Sequence, residues 1–438
     1  MPELSAHSLE VTETLISGAR FLVILVAARL LAETMVRLKL PTILGELIAG
    51  LIVGISGFHL VVPPETQSML SEGFSALLGG LADVPGGVVS DLYAETFPSV
   101  EAVASLGLFS LLFLTGLESD LDELVAVGGK ATSVAVAGVV LPFAIGTAGL
   151  MAIFQVDLIP AVFAGASMTA TSIAITASVF GELKMLRSSE GQIVLGAAVL
   201  DDILGIVILA VVVSLASSGS LTIGPIIKLV AAAVVFVLAA IGLSRSAAPL
   251  FDKVIENLQA TGEIVVASFV VLVVCAFTAT AIGLEAALGA FAAGLILSKS
   301  KHRHDIEQQV KPVVALFATI FFVLIGTKMD LSVVNPFDPA NREGLIIAAF
   351  LLLVAIAGKV AAGWLYASKE PTNRLVVGLG MMPRGEVGLI FLGLGSQAKL
   401  LSPSLEAAIL LMVIGTTFLA PLLLRFVLGH KEEAAEAA

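Results

Sequence analysis

The sequence predicts an all-α polytopic membrane protein whose 438 residues form a single transmembrane unit. Hydrophobic residues make up 58% of the chain, charged residues only 13%, and the mean hydropathy is +1.06. Soluble domains carry about 25% charged residues, so these values exclude an ordinary soluble protein. Apolar runs of roughly 17–25 residues also recur along the chain, and a helix needs that length to cross a bilayer.

About 13 such runs can be counted, and each predicts one transmembrane helix. They lie at about 13–36, 41–60, 98–117, 131–153, 158–182, 189–216, 221–243, 262–281, 284–300, 312–328, 344–367, 374–398 and 404–427. The longest connection, residues 61–97, is predicted to be an external loop with room for a short helix or hairpin.

Lysine and arginine are distributed unevenly between the predicted loops. With the N-terminus outside, fifteen of these cations fall on the inner side. They are Arg37, Lys39, Lys130, Lys184, Arg187, Arg245, Lys253, Lys299, Lys301, Arg303, Lys311, Lys369, Arg374, Arg425 and Lys431. Only Lys328, Arg342 and Lys399 fall on the outer side. Cytoplasmic loops carry the excess of positive charge, so we expect a cell-membrane protein with its N-terminus outside and its C-terminus in the cytoplasm.

The chain carries a weak internal repeat with a shift of seven spans. Residues 44–52 resemble residues 288–296, and residues 114–121 resemble residues 324–331. Because seven is odd, the two copies must face opposite ways across the membrane. The sequence therefore predicts an inverted repeat, which is an architecture of many secondary transporters.

The same register pairs the fifth span with the twelfth, and both are poorly suited to a continuous helix. Residues 165–172 are rich in hydroxyls, and residues 380–387 contain a proline and two glycines. Such residues compete for backbone hydrogen bonds or disfavour helix. Broken helices at matching places in two halves predict a binding site near the membrane midplane. Unwound backbone is tolerated there only because it lines a cavity.

Asp201 and Asp202 are the strongest candidates for functional residues. A charge at the bilayer centre costs about 2.5–3.5 kcal/mol on insertion scales, and these two lie roughly 20 Å along the sixth span. Two adjacent carboxylates cannot both ionise cheaply in a low dielectric. Neighbours on a helix point about 100° apart, so one carboxylate can face a cation pathway while the other pairs with a lysine. The alternative is one buried ion pair beside a protonated bystander.

Lys359 is the predicted partner, because it lies at a comparable depth in the eleventh span. A buried lysine loses its proton more easily, so Lys359 is also a candidate proton carrier. Arg384 and Glu386 lie at the second break, where pinning of the break and direct ion ligation are both open. The other charges within spans are interpreted as interface snorkelling or packing pairs. They are Arg20, Arg29, Lys228, Glu46 and Glu285.

Several other classes of protein and site are disfavoured. The single cysteine, Cys275, excludes a disulfide framework, and the five histidines lie near segment ends or in loops, so no zinc site is expected. His302 and His304 belong to a basic loop. An intramembrane aspartyl protease needs carboxylates that converge from different helices, whereas Asp201 and Asp202 are adjacent. The net charge of −12 gives no reason to expect a nucleic-acid partner.

Four stretches of the chain resemble the cation–proton antiporter superfamily, specifically the bacterial sodium/proton antiporters with a double-aspartate motif. Residues 170–175 resemble the unwound helix of that family, and residues 195–205 resemble its ion-binding helix. Residues 382–389 resemble its second broken helix, and residues 40–46 resemble an early signature. The likeness covers nearly the whole transmembrane region. Residues 61–97 depart from the usual short connection.

The resemblance implies sodium or lithium exchange for protons without a cofactor. Asp202 would carry the cation or proton, Asp201 would pair with Lys359, and Thr171, Ser172 and Glu386 would line or support the site. A homodimer would form, in which a core moves against a scaffold as an elevator. The expected core is 131–216 and 344–427, the dimerisation scaffold is 13–117 and 262–328, and the linker helix is 221–243. The alternatives left open are a potassium/proton antiporter and a sodium-coupled solute symporter of related fold.

Overall fold

The computed structural model describes residues 6–119, 122, 126–218, 223–257, 262–332, 341–367 and 371–436. Every regular element in these residues is helical, which confirms the predicted all-α class. The α-helices are α1 (Ala6–Arg37), α2 (Thr42–Val53), α3 (Glu72–Ala82), α4 (Gly86–Glu95), α5 (Phe97–Glu118), α6 (Gly128–Ile153), α7 (Leu158–Ser167), α8 (Ile173–Glu182), α9 (Ser189–Ser218), α10 (Ile223–Ile255), α11 (Glu263–Ala281), α12 (Ala286–Leu297), α13 (Arg303–Thr327), α14 (Arg342–Ala362), α15 (Arg374–Gly380), α16 (Glu386–Gln397) and α17 (Pro403–Glu436).

Each predicted span overlaps at least one of these helices. Within the described residues, seven helices are long and apolar enough to cross a membrane, or up to eight if the bent pair inside α10 counts as one span. The helices in predicted spans 41–60 and 284–300, α2 and α12, have only 12 residues each. Such a helix is about 18 Å long, which is less than the hydrocarbon thickness. The count of 13 transmembrane helices therefore stays a prediction, as does the inverted repeat.

The chain divides into two compact units. The first comprises Met1–Leu108 and Val313–Ser332. Within it, the predicted external loop folds as the 3-10 helix Pro64–Met69 followed by α3 and α4. These helices bury a small apolar core, which includes Leu78 and Val89, together with Ile16 of α1. The loop therefore does contain helices, while its position outside the membrane stays a prediction.

The second unit comprises Phe109–Pro312 and Val333–Ala438. In this unit α14 packs against α6, α15 and α17, and α6 in turn packs against α7 and α9. An apolar core that contains Phe163, Met168, Leu351 and Phe391 surrounds the end of α7. Helix α6 therefore packs against both α9, which carries the two aspartates, and α14, which carries Lys359.

Candidate functional site

Two predicted spans are each split into a pair of short helices. The first break, Met168–Ser172, separates α7 from α8, and the second, Met381–Gly385, separates α15 from α16. Pro383 supplies no backbone N–H and disfavours helix at the residue before it. Hydroxyls in the first break compete for backbone groups. Both breaks therefore lie where the sequence predicted them.

The two breaks are hydrogen-bonded to each other. The Ser172 backbone N–H donates to the Pro383 carbonyl at 2.9 Å. The Thr171 hydroxyl donates to the Met381 carbonyl at 2.9 Å, and the Thr176 hydroxyl donates to the Gly380 carbonyl at 2.8 Å. Unwound backbone inside a membrane must find partners within the protein. Each break thus supplies partners to the other.

Arg384 binds the carbonyl groups of both breaks. Its Nη1 lies 3.2 Å from the Met381 carbonyl oxygen and 3.3 Å from that of Met382, while its Nη2 donates to the Met168 carbonyl. The side chain is fully buried. The Thr417 hydroxyl, from α17, donates to the Arg384 carbonyl. Of the two roles that the sequence left open, these contacts favour pinning of the breaks.

Lys359 and Asp201 form an ion pair that is closed to solvent. The Lys359 ammonium lies 2.9 Å from Asp201 Oδ2, and both side chains are 0% exposed. The second carboxylate oxygen, Asp201 Oδ1, has no hydrogen-bond partner, although buried polar atoms normally have one. The predicted pairing of these two residues is thus observed as a contact, and it leaves one carboxylate oxygen available to another ligand.

Asp202 follows Asp201 on α9 and is 6% exposed. Lys359 interacts electrostatically with both aspartates, and Arg384 interacts with Asp201. The four groups therefore carry two negative and two positive charges when all are ionised. Protonation of one carboxylate, or binding of one monovalent cation, adds a single positive charge to a balanced set. Such a site can exchange a proton for a cation with little change in the total buried charge.

The transmembrane model of the sodium/hydrogen exchanger family matches residues 22–429. The chain belongs to that family. It is 48% identical over 417 residues to the high-affinity Na⁺/H⁺ antiporter NhaS3 of Synechocystis, covering 94% of this chain and 90% of that protein. It is also 29% identical over 419 residues to the Na⁺/H⁺-K⁺ antiporter GerN of Bacillus cereus, covering 95% of this chain and 97% of GerN.

A solved structure supports the fold of this family member. The sodium proton antiporter MjNhaP1 of Methanocaldococcus jannaschii matches with a TM-score of 0.62 and 17% sequence identity. The match covers 94% of this chain and 98% of that one. The predicted resemblance to bacterial cation–proton antiporters is therefore confirmed for family and fold.

The structure gives the surroundings of Ser172, but not those of the Glu386 side chain. Ser172 lies at the first break, and its hydroxyl oxygen is buried with no hydrogen-bond partner. Glu386 begins α16, but its side chain lies outside the described part of the structure. Thr176 and Thr417 were not predicted, although both hydroxyls bind the second break. A hydroxyl residue within an apolar helix close to a break is the one signal that could have found Thr176.

The other charged residues within predicted spans differ in their surroundings. Arg29 and Lys228 are exposed, as snorkelling side chains would be. Glu46 is half-buried and accepts a hydrogen bond from the Thr319 hydroxyl at 2.6 Å. Arg20 is fully buried, which makes snorkelling wrong for this residue and leaves packing. Among the described residues, no group of three or more His, Cys, Asp or Glu could hold a metal ion.

A charged cavity lies beside α8. Its volume is about 550 Å³, and Ala177 and Ser178, which follow Thr176, form part of its wall. Charged side chains line it as well: Glu118, Glu182, Lys184, Arg187, Glu307 and Lys311. Lys311 lies 3.6 Å from Glu118 and also pairs with Glu307. The cavity therefore brings polar surface close to the helix that follows the first break.

Proposed function

We propose that this chain exchanges sodium, or lithium, for protons across the cell membrane, with Asp202 as the carboxylate that alternately binds cation and proton. One observation carries the proposal: a closed Asp201–Lys359 pair lies next to a second aspartate in a chain with two helix breaks that hydrogen-bond to each other. The named activities of NhaS3 and GerN agree with it.

Asp202 is the carrier in this proposal because Lys359 holds the Asp201 carboxylate, and because Asp202 is 6% exposed whereas Asp201 is 0% exposed. A protonated carboxylic acid is a poor ligand for a cation, so proton and cation compete for the same oxygen atoms. The unpartnered Asp201 Oδ1 and Ser172 hydroxyl are further oxygens that can contribute when the cation arrives. Thr171 and Arg384 support the site by holding the breaks together. Glu386 is also proposed to line or support the site.

The exchange is proposed to be electrogenic. Cation binding displaces one proton from Asp202 and a second from the Asp201–Lys359 pair. Two protons then enter as one cation leaves, so one net charge moves inward per cycle. The proposed movement is an elevator in a homodimer, in which the core of 131–216 and 344–427 moves against the scaffold of 13–117 and 262–328. The N-terminus is proposed to lie outside.

A substitution at Asp202 tests the proposal directly. Asp202→Asn keeps the side-chain volume and removes only the titrating charge, so we expect a folded protein without exchange. Purified protein is reconstituted in proteoliposomes with a preset pH gradient, and collapse of the gradient is recorded after addition of Na⁺, Li⁺ or K⁺. Exchange by the wild type and none by the variant is the expected result. Wild-type rates in the variant would refute the role of Asp202.

Potassium is the second candidate cation, since the name of GerN includes K⁺. The same assay decides between the ions, because each is added separately at several concentrations. A half-saturating K⁺ concentration below that of Na⁺ would favour the potassium/proton alternative. Counterflow of organic solutes, driven by sodium, would favour a symporter instead.

A further inference from the structure

The Lys359 side chain lies against the backbone of α6 at a glycine. Gly138 is buried, and a β-carbon added there would be 3.2 Å from both Nζ and Cδ of Lys359. Such a distance is tighter than ordinary van der Waals contact, so an alanine would force the lysine to move by a few tenths of an ångström. The absence of a side chain at Gly138 therefore lets the ammonium lie beside the helix backbone.

One turn further along, α6 contains a proline. Pro142 is buried inside the helix and faces α14, since a β-carbon at Gly358 would be 3.0 Å from its Cδ. In an α-helix the N–H of each residue binds the carbonyl four residues earlier, and proline has no N–H. The carbonyl four residues before Pro142 is that of Gly138. The regular donor to the Gly138 carbonyl is therefore missing, at the residue against which the Lys359 side chain lies.

We propose that Gly138 and Pro142 form a seat on α6 for the Lys359 side-chain nitrogen: the Gly138 carbonyl is the second acceptor, used when that nitrogen leaves Asp201. The inference rests on the proposed function, in which cation binding displaces a proton from the Asp201–Lys359 pair and so breaks the pair. An ammonium has three donors, and one of them is used here on Asp201 Oδ2. Gly138 and Pro142 are thus positioning residues, which act through Lys359.

The seat matters because a buried polar group without partners is unstable. When a cation binds the aspartates and the Asp201–Lys359 pair gives up its proton, the Lys359 amine loses its carboxylate while it remains enclosed by protein. In this proposal the Gly138 carbonyl accepts a hydrogen bond from the amine during that step. Removing this acceptor should therefore weaken cation binding, because the released state of Lys359 becomes less stable. A proline that only bends α6 would have no such link to Lys359.

Two substitutions remove the seat in different ways. In Pro142→Ala the new N–H donates to the Gly138 carbonyl, and in Gly138→Ala the methyl group blocks the approach of the Lys359 side-chain nitrogen. Each should raise the apparent KM for Na⁺ roughly tenfold at constant pH, with a smaller change in kcat. Gly129→Ala and Pro312→Ala are the matched controls. Gly129 is exposed on the same helix with nothing near its β-position, and Pro312 is an exposed proline inside α13.

The decisive measurement repeats both substitutions in Lys359→Gln. There is no lysine nitrogen to seat in that background, so the tenfold effects should disappear. The midpoint of Na⁺-dependent thermal stabilisation, measured on the same proteins in detergent, gives a second value of cation affinity where exchange is slow. Pro142→Val, which also restores the N–H, replaces Pro142→Ala if that variant does not give a monodisperse protein.

The seat is refuted if Gly138→Ala and Pro142→Ala behave as their controls, or if their effects persist unchanged without Lys359. Either outcome would assign Gly138 and Pro142 to packing alone. Failure of the proposed function gives a different result, because the wild type itself would then show no cation-driven proton movement. The two failures are therefore distinguishable in one set of proteoliposomes.

Discussion

Lys359 and Arg20 are both fully buried cations in predicted spans, and their partners differ in kind. In the second unit, Lys359 pairs with the carboxylate of Asp201 at 2.9 Å. In the first unit, Arg20 donates to the Tyr93 carbonyl at 2.6 Å, and its guanidinium lies 3.9 Å from the centre of the Tyr93 ring and 5.1 Å from that of Phe97. Both side chains are 0% exposed.

The difference shows that depth in a membrane does not by itself identify a transport residue. The partners of Arg20 are a carbonyl and aromatic faces, which carry no net charge and gain no proton at neutral pH. The partner of Lys359 is a carboxylate, which can gain a proton or pair its negative charge with another cation. An ion pair with a titratable partner can open and close within a cycle, whereas a cation held by aromatic rings and a carbonyl is suited to fix its surroundings.

Of the substitutions that test this difference, removing the charge of Lys359 should have the largest effect on transport. The wild type is expected to extrude cations faster with a potential that is negative inside, because one charge across 100 mV is worth about 2.3 kcal/mol, or roughly fiftyfold in the attainable gradient. Lys359→Gln should lose this voltage dependence. Transport is compared with the potential clamped at zero and at a negative value. Indifference of the wild type to the potential would exclude the two-proton scheme.

Competition between protons and cations tests whether the carboxylates beside Lys359 bind both. If the aspartates bind either one, the apparent Na⁺ affinity must weaken as pH falls, by about tenfold per pH unit for each competing proton. The measurement is the half-saturating Na⁺ concentration across the active pH range. Because Asp201 and Asp202 interact, the slope describes the pair. A constant affinity with a changing rate would instead indicate a separate path for protons.

Arg20→Gln is the counterpart of Lys359→Gln in the other unit. It removes a charge-assisted hydrogen bond and two aromatic contacts, so the protein should lose about 2–3 kcal/mol of stability. The apparent KM for Na⁺ and the voltage dependence of the folded protein should stay unchanged. Thermal unfolding in detergent and exchange in proteoliposomes are measured on one preparation. A changed voltage dependence with normal stability would show that Arg20 takes part in transport and is not only structural.

Thr176→Val should give the smallest effect. The substitution leaves the Gly380 carbonyl without its side-chain donor and keeps the shape of the side chain, so we expect a loss of about 1 kcal/mol in stability and exchange within a few-fold of wild type. Thr319→Val in the first unit, which removes the hydroxyl that binds Glu46, is the matched control for exchange. Complete loss of exchange in Thr176→Val would mean that this hydroxyl does more than hold the second break.

The sequence predicted those features that depend on local chemistry. Proline and hydroxyl residues in apolar spans indicated both breaks, and charges at similar depths indicated the Asp201–Lys359 pair. The C-terminal end of α2 was harder to predict, because the helix ends at Val53 while apolar residues continue in the sequence. Val61 and Val62, for example, are buried within the protein. Hydropathy cannot distinguish such residues from a continuing span.

Hydrogen bonds from side chains to the backbone carbonyls of distant segments could not be predicted from the sequence. Arg384 reaches Met168 across 216 positions of the chain, and Thr417 reaches Arg384 from a third helix. Neither contact has a spacing or composition that marks it in advance. The position of Lys359 against Gly138 could not be predicted either, because a glycine can occur in an apolar helix for many different packing or functional reasons.

The hydrogen bonds between the two breaks can form only late in the synthesis of the protein. Residues of the first break depend on Met381 and Arg384, which the ribosome adds more than two hundred positions later. Asp201 likewise enters the membrane before Lys359 exists. Until Lys359 is made, α9 therefore carries two carboxylates in an apolar setting without the ammonium that later pairs with Asp201. During this interval the carboxylates of the nascent chain must be stabilised by protonation, water or the insertion machinery. Chains truncated before Lys359 should therefore be especially prone to degradation.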